Sequence, residues 1–226
     1  MRKIDKSPHI PVTLQNAPVP TCPNDVKPSV YKANDVRSLL CKDQYYKCAY
    51  CECDLRKAFN DVEHYRPKSK YYWLGYDWNN LLYSCNECNR TLKNDAFPLV
   101  NEANRVTSPG DMSGEEPLII NPAIDEPTDH IRFNRHMMTG ITAKGQKTIE
   151  VFKLNERKEL IHRREQTFEK YKIDKEALDN IQEMLESPSL SDHIRDKLNK
   201  SKDLMLRAIQ EHKSPDNPYS GILVNQ

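Results

Sequence analysis

The chain has little of several features that define common classes of protein. Only six of its 226 residues are glycine, and no G-x-x-x-x-G-K-[ST] motif occurs, so it offers no P-loop for a nucleotide. No apolar run approaches the roughly 18 residues that span a bilayer, and the mean hydropathy is -0.83. The N-terminal stretch M-R-K-I-D-K-S-P lacks the apolar segment of a secretory signal. We therefore expect a cytoplasmic protein with no membrane contact.

The chain also lacks an excess of either charge and an even number of cysteines. Its 34 Lys and Arg residues nearly balance 33 Asp and Glu residues, which gives a net charge of +1. Any binding to nucleic acid must therefore depend on a local basic patch. Seven cysteines in a chain expected in the reducing cytosol argue against a disulfide framework.

Four of the cysteines form two C-x-x-C pairs, Cys48/Cys51 and Cys85/Cys88, which leaves Cys22, Cys41 and Cys53 over. Cys53 also allows a Cys51/Cys53 register, but the C-x-x-C spacing favours Cys48. Four thiolates complete the tetrahedral coordination of a structural Zn²⁺. The pairs are separated by residues 52–84, more than the roughly 15–20 of a simple zinc ribbon. We expect zinc to hold the ends of an inserted ββα unit; the alternative is two unrelated thiol pairs.

An acid-histidine step lies between the cysteine pairs, in the run D-V-E-H-Y-R-P-K-S at 61–69, and Asn89 directly follows Cys88. A neutral imidazole at His64 can deprotonate water, and oxygens of Glu63 and Asn89 can hold Mg²⁺ or another divalent cation. Neighbours on a strand point to opposite faces, so we expect a turn at 65–67 to redirect one of them. Asn80 fits two interpretations, an organiser of the loop that carries His64 or a helix cap.

These residues resemble the HNH (ββα-metal) endonuclease motif, as C-x-x-C, E-H-x-x-P and N-L-x-x-x-C-x-x-C-N follow one another within 48–93. The resemblance implies that Glu63 and Asn89 bind the catalytic cation, that His64 is the general base and that Asn80 organises the catalytic loop. Two departures are visible. Position 63 is Glu where many members have Asp, and Lys93 lies one residue further from Asn89 than the lysine of the usual N-x-x-K. The expected nucleic-acid contacts are the basic residues Arg66, Lys68, Arg90 and Lys93.

A longer resemblance covers most of the chain. The wording V-E-H-Y-R-P-K-S, Y-x-W-L-G-Y-D-W-N-N-L-L-Y-S-C-N-x-C-N and E-E-P-L-I-I-N-P is similar to the HNH subunit of Septu-type and retron-associated anti-phage systems. This resemblance implies cleavage of phosphodiester bonds in DNA, or in structured RNA such as tRNA. It also implies an ATPase partner of the ABC/SMC-like kind, and it admits a retron reverse transcriptase with its DNA–RNA product.

The expected fold class is α+β, a zinc-stapled ββα-metal core with a mostly helical C-terminal region. We divide the chain into an extended proline-rich arm (1–33), the nuclease core (34–100), a loop with short strands (101–142) and a helical, partner-docking region (143–226). A helix is expected from Asn34 to Tyr45 with Asn34 or Asp35 as its N-cap, and another from Asn86 towards Phe97.

Further along, Leu118–Ile120 are expected to form a strand, and 130–142 a hairpin that turns at Thr139-Gly140. Three amphipathic helices are expected to follow, the first two meeting near Tyr171–Ile173. The aromatic run at 71–78 fits either a hydrophobic core or base stacking.

Two other functions remain open from the sequence. A non-catalytic zinc module that binds nucleic acid or protein explains the cysteines, although it leaves Glu63, His64 and Asn89 as coincidence. In the other, the C-terminal helices carry the function and the motif is a degenerate relic.

Overall fold

The computed structural model describes residues 1–56 and 60–224. Its helices are α1 (Val12–Gln15), α2 (Pro28–Tyr31), α3 (Asn34–Asp43), α4 (Ala143–Val151), α5 (Lys158–Leu185), α6 (Asp192–Lys213) and a π-helix (Glu87–Lys93). The strands are β1 (Asn60–His64), β2 (Leu81–Cys85), β3 (Ile131–Asn134) and β4 (Met137–Gly140), and 3₁₀ turns lie at Pro23–Asp25, Tyr72–Leu74, Trp78–Asn80, Glu102–Asn104, Pro127–Asp129 and Ser220–Leu223. No helix of the described residues is long and apolar enough to cross a bilayer.

The expected ββα unit is present and consists of β1, β2 and the π-helix. β1 pairs antiparallel with β2, so that Glu63 lies opposite Leu82 and His64 opposite Leu81. The π-helix starts two residues after β2 ends. The expected α+β class with a cysteine-bearing ββα core is therefore confirmed.

The third element of this unit is wound more widely than an α-helix. The N–H of Asn94 donates to the carbonyl of Asn89 at 2.7 Å, the i→i+5 bond of a π-turn. A π-turn holds one more residue than an α-turn. It therefore accommodates the extra residue between Asn89 and Lys93 that the sequence showed.

The aromatic run at 71–78 forms core. Tyr71, Trp73 and Trp78 are at most 9% exposed. Tyr71 meets Phe97 edge-on, with ring centroids 5.5 Å apart. These three rings lie inside the protein, and the half-buried Tyr72 and Tyr76 pack against the same core.

The expected N-cap of α3 and the expected strand at 118–120 were both wrong. The helix at α3 is confirmed, but its N-cap is Ala33, and the carboxylate of Asp35 instead accepts the N–H of Thr13 at 3.0 Å. Residues 118–120, all of them described, form no strand. The N–H of Ile120 donates to the side chain of Thr148 at 2.9 Å, because α4 rather than a second strand lies beside it.

The hairpin at β3 and β4 is confirmed, but its turn lies at Arg135-His136, where Arg135 has φ 56°. Thr139 and Gly140 instead belong to β4, where they pair with Arg132 and Ile131 of β3. A Cβ on Gly140 would lie 2.4 Å from the backbone nitrogen of Gln146, so this glycine permits the close approach of α4. The sequence signal at Gly140 thus marked packing rather than a turn.

The expectation of three helices after the hairpin was also wrong, because α5 continues through the boundary expected near Tyr171–Ile173. The first two helices form the single helix α5, because no Pro or Gly interrupts residues 158–185. α5 and α6 form an antiparallel helical hairpin, and none of the residues of α6 is buried. The N-terminal arm holds the one-turn helices α1 and α2, and its Ile4 N–H donates to Pro122 at 2.8 Å.

Candidate active site and metal centre

Four cysteine sulphurs come together in the core. The Sγ atoms of Cys48, Cys51, Cys85 and Cys88 all lie within 4.8 Å of one another, and all four residues are buried. A tetrahedron with Zn–S bonds of about 2.3 Å has edges of about 3.8 Å. The measured Cys51–Cys85 separation is 3.8 Å. The donor set, its size and its burial therefore fit a structural Zn²⁺.

Local backbone geometry explains why these four and not Cys53 converge. The first pair lies in a tight turn in which the N–H of Glu52, at φ 61°, donates to the carbonyl of Cys48 at 3.0 Å. The second pair spans the end of β2 and the π-helix, and the N–H of Cys88 points to Cys85 Sγ at 3.4 Å. Cys53 follows the turn, is half-buried and is not among the four.

A cleft of about 400 Å³ opens beside this cluster, between β1, the π-helix and the arm. Glu63, His64 and Asn89 all line it. The structure thus brings the three residues singled out from the sequence to one place. Glu63 and His64 are neighbours at the end of β1, yet both line the cleft. Residues of the arm (Tyr31 and Lys32) and of the π-helix (Asn89 and Arg90) form the rest of its wall.

His64 is held in a single orientation. Its Nε2 lies 3.0 Å from the carbonyl of Gly75, and its ring meets Tyr31 edge-on with centroids 4.6 Å apart. Donation from Nε2 to a carbonyl leaves Nδ1 as the unprotonated nitrogen of the neutral ring. Burial lowers the pKa of His64 to about 4, although the Gly75 contact works to raise it. The imidazole is therefore neutral at pH 7, the form that a general base requires.

Glu63 is almost fully buried and faces the ammonium of Lys93. The Lys93 Nζ lies 2.6 Å from Glu63 Oε1 and donates to the carbonyl of His64 at 2.9 Å. The Lys93 ammonium therefore occupies Oε1, which is itself buried. Burial raises the pKa of Glu63 to about 7, although Lys93 pulls it down. A carboxylate and an amide, Glu63 and Asn89, on one cleft are oxygen donors of the kind that a divalent cation prefers.

Asn80 ties the loop after His64 to β2. Its Oδ1 accepts the N–H of Arg66 at 2.7 Å, and its Nδ2 donates to the carbonyls of Arg66 and Leu74, each at 3.1 Å. It lies outside the cleft, so it cannot touch a reacting group there. These contacts agree with the loop-organising interpretation rather than helix capping.

The four basic residues expected to contact nucleic acid divide into two pairs. Arg66 pairs with Glu115 and packs over Phe97 with only 14% of its side chain exposed, and Lys93 is fully buried against Glu63. Neither is placed to meet a phosphate, so the structure argues against that role for both. Lys68 and Arg90 line the cleft, and the prediction for them stands.

Several functional candidates were missed from the sequence. Lys32 lies in the cleft wall, with its Nζ 2.6 Å from Asp61, whose other oxygen is 2.6 Å from Arg90. Burial works to raise the pKa of Asp61, but Lys32 and Arg90 outweigh it and lower that pKa. Lys32 and Asp61 are far apart in sequence, so no spacing pattern linked them. Gly75, whose carbonyl contacts His64, could have been singled out from the sequence because the chain has only six glycines.

A larger open cavity of about 690 Å³ lies between α5, α6 and the residues after α6. Of its lining residues, His212 pairs with Asp174 at 2.7 Å, and Arg163 pairs with Glu159 of the same helix at 2.7 Å. None of the site residues singled out from the sequence lines it. The smaller cleft at β1 is therefore the candidate site.

Comparisons with known proteins agree with this placement. Residues 48–95 match the family described as HNH endonuclease. The chain is 40% identical over 166 residues to the Septu protein PtuB of Bacillus mycoides (strain KBAB4), an alignment that covers 65% of this chain and 53% of that protein. It is 31% identical to the Septu protein PtuB of Bacillus thuringiensis, over 60% of this chain and 47% of that protein.

A weaker similarity joins the chain to a second kind of Septu protein. The Septu protein PtuA of Bacillus mycoides (strain KBAB4) is 27% identical over 55% of this chain and 20% of its own length. The chain spans about half the length of the PtuB relatives it matches. The resemblance to HNH endonucleases and to Septu-type proteins is thereby confirmed.

Proposed function

We propose that this chain is a metal-dependent HNH endonuclease that hydrolyses phosphodiester bonds of nucleic acid as the effector of an anti-phage defence complex. The observation that carries the proposal is the convergence of Glu63, His64 and Asn89 on one cleft. A thiolate cluster directly adjoins that cleft, because Cys88 precedes Asn89. The match of residues 48–95 to HNH endonucleases supports it.

In the proposed mechanism, Nδ1 of His64 takes a proton from water, and the resulting hydroxide attacks phosphorus in line. The Gly75 carbonyl holds the imidazole in the required tautomer and Asn80 holds the loop behind it. The leaving group is the 3′ oxygen, so the products carry a 5′ phosphate.

Glu63 and Asn89 would hold the catalytic cation. The feature that fits such an ion is the donor set, a carboxylate and an amide on the same cleft. A divalent cation there acts as a Lewis acid and stabilises charge on the leaving oxygen. Lys93 keeps the carboxylate in place from the protein side through its contacts with Glu63 and the His64 carbonyl.

Lys32, Lys68 and Arg90 would contact the phosphates on either side of the scissile bond. All three line the cleft and Arg90 is largely exposed, with 63% of its side chain accessible. Asp61 holds Lys32 and Arg90 on its two oxygens, which fixes their spacing. This local patch supplies positive charge that the near-neutral chain lacks as a whole.

The substrate and the partners remain proposals. DNA and structured RNA such as tRNA both present the phosphodiester that this cleft would attack. An ABC/SMC-like ATPase fits a chain without a P-loop, and the similarity to Septu proteins supports a Septu-type complex. A retron reverse transcriptase with its DNA–RNA product is a further candidate. The helical region from residue 143 onward would dock the partner, at a cytoplasmic location.

The test is metal-dependent cleavage by the assembled complex, measured on plasmid DNA, single-stranded DNA and tRNA with and without added Mg²⁺. We expect cleavage of at least one substrate that is lost on chelation, restored by Mg²⁺ and lost again in His64→Asn. Cleavage that persists in His64→Asn would reject the assignment. Binding without any cleavage by the wild type would favour the non-catalytic zinc module.

A further inference from the structure

The thiolate cluster is contacted by an arginine from outside the ββα unit. Arg157, the residue just before α5, donates from Nη1 to Cys88 Sγ at 3.3 Å. Its Nη2 forms an ion pair with Glu87, the first residue of the π-helix. Only 13% of the Arg157 side chain is exposed. A single guanidinium thus joins the helical region to the cysteine cluster.

A second arginine, Arg164, lies two turns further along α5 and is more deeply buried, with 1% of its surface exposed. One of its N–H groups donates to the carbonyl of Leu154, whereas Nε and Nη1 have no partner among the described residues. Burial lowers the pKa of this guanidinium to about 10, although Cys51 and Glu52 work to raise it. A buried guanidinium with unsatisfied donors is costly unless a negative charge lies close by.

The chemistry of a tetrathiolate metal site supplies such a charge. Four thiolates and one divalent ion carry a net charge of about −2, and all four cysteines are buried. Uncompensated, that charge is expensive in the protein interior. Guanidinium groups remain protonated and are more weakly hydrated than ammonium groups, which suits them to buried ion pairs. Two arginines offset this charge, although Glu87 takes up part of the compensation because it pairs with Arg157.

We propose that Arg157 and Arg164 neutralise the tetrathiolate metal site, and that this site is therefore the anchor that docks the helical region onto the nuclease core. Metal binding and docking of α5 then stabilise each other, because each supplies the charge that the other requires. The proposal depends on metal binding by the four cysteines. It does not depend on the nuclease activity, so the two can fail separately.

The first test measures metal affinity. Zn²⁺ affinity is determined by competition with a coloured chelator for wild type, Arg157→Gln and Arg157→Lys. The matched control is Arg163→Gln, an arginine of α5 that is 57% exposed and pairs with Glu159. We expect Zn²⁺ binding about 10- to 100-fold weaker in Arg157→Gln, the range seen when a partner of a ligand is removed. Arg157→Lys should lose less, and Arg163→Gln should match wild type.

The second test asks whether the metal anchors the helix. Hydrogen exchange of α5 is compared between Zn²⁺-loaded and metal-free full-length protein, and between loaded wild type and loaded Arg157→Gln. We expect faster exchange in the first half of α5, around residues 158–171, on metal removal and in Arg157→Gln. Arg164→Met should weaken Zn²⁺ binding as well. If the Arg164→Met protein does not fold, the result for Arg157→Gln alone tests the proposal. Wild-type Zn²⁺ affinity in Arg157→Gln, or α5 exchange that does not respond to the metal, would overturn the proposal.

Discussion

The cysteine-bearing core and the helical hairpin of α5 and α6 are specified in opposite ways. In the core, buried polar and charged groups such as Glu63 and Lys93 sit beside four buried thiols, each in contact with a defined partner. In the hairpin, α6 has no buried residue, and Ile173 of α5 is 62% exposed. Chemistry fixes the core through residue types at fixed spacings. The hairpin is held instead by a few buried side chains of α5, such as Tyr171 and Leu178, and by the pair between Asp174 and His212.

The largest effect should come from removing one thiol of the cluster. Cys85→Ser is expected to abolish structural Zn²⁺ binding, because metal binding contributes on the order of 10 kcal/mol to folding in small zinc sites. Thermal unfolding and Zn²⁺ content are the measurements. Cys22→Ser, at an exposed thiol, is the control and should change neither. A Cys85→Ser protein that keeps full Zn²⁺ occupancy and stability would show that the core does not depend on the metal.

Loss of the general base comes next. His64→Asn should reduce cleavage by about 10²- to 10⁴-fold, the usual contribution of a positioned base, while the fold is retained. His162→Asn provides the control, since that histidine lies exposed on α5. The rate is measured under single-turnover conditions, with thermal unfolding as a check on folding. An equal loss in both variants would mean that the effect is not specific to the cleft.

Within the hairpin, substitutions of a buried and an exposed apolar residue of α5 should differ in their effect on stability. Leu178→Ala is expected to lower the free energy of unfolding by about 2 kcal/mol, because Leu178 is 5% exposed. Ile173→Ala, five residues earlier at an exposed position, should change it by less than about 0.5 kcal/mol. Urea unfolding measures both. Equal losses at the two positions would show that a partner or a second copy covers Ile173.

The smallest effect should come from a positioning residue at the site. A Cβ at position 75 would lie 2.6 Å from Val26, so Gly75→Ala must shift the carbonyl that orients His64. We expect cleavage to fall about 10-fold with substrate binding unchanged, as misplacement of a catalytic group affects the chemical step. Gly114→Ala, where nothing lies within 4 Å, is the matched control. A fall in substrate affinity without a fall in rate would argue against positioning.

Much of the core could be predicted because its chemistry requires particular residues in order. The cysteine pairs indicated the cluster, and the acid-histidine step indicated which residues line the cleft. Two of the four expected phosphate contacts, Arg66 and Lys93, were misjudged because internal partners, Glu115 and Glu63, are remote in sequence. The contact of Arg157 with Cys88 was invisible for the same reason.

Outside the core, the secondary-structure predictions were less accurate because tertiary packing determines the local structure there. Gly140 indicated a turn, yet it serves the close approach of α4. Leu118–Ile120 had the composition of a strand, yet Ile119 and Ile120 are buried without one. Two apolar faces in α5 suggested two helices, although nothing breaks the chain between them.

The most direct measurement is the binding of Mn²⁺ to the Zn²⁺-loaded protein, followed by its paramagnetic signal. The account predicts one Mn²⁺ site in wild type that is weakened strongly in Glu63→Gln and Asn89→Ala and retained in His64→Asn, with Zn²⁺ content unchanged throughout. Mn²⁺ binding that is equal in wild type, Glu63→Gln and Asn89→Ala would contradict it, because the carboxylate and the amide would then hold no catalytic cation.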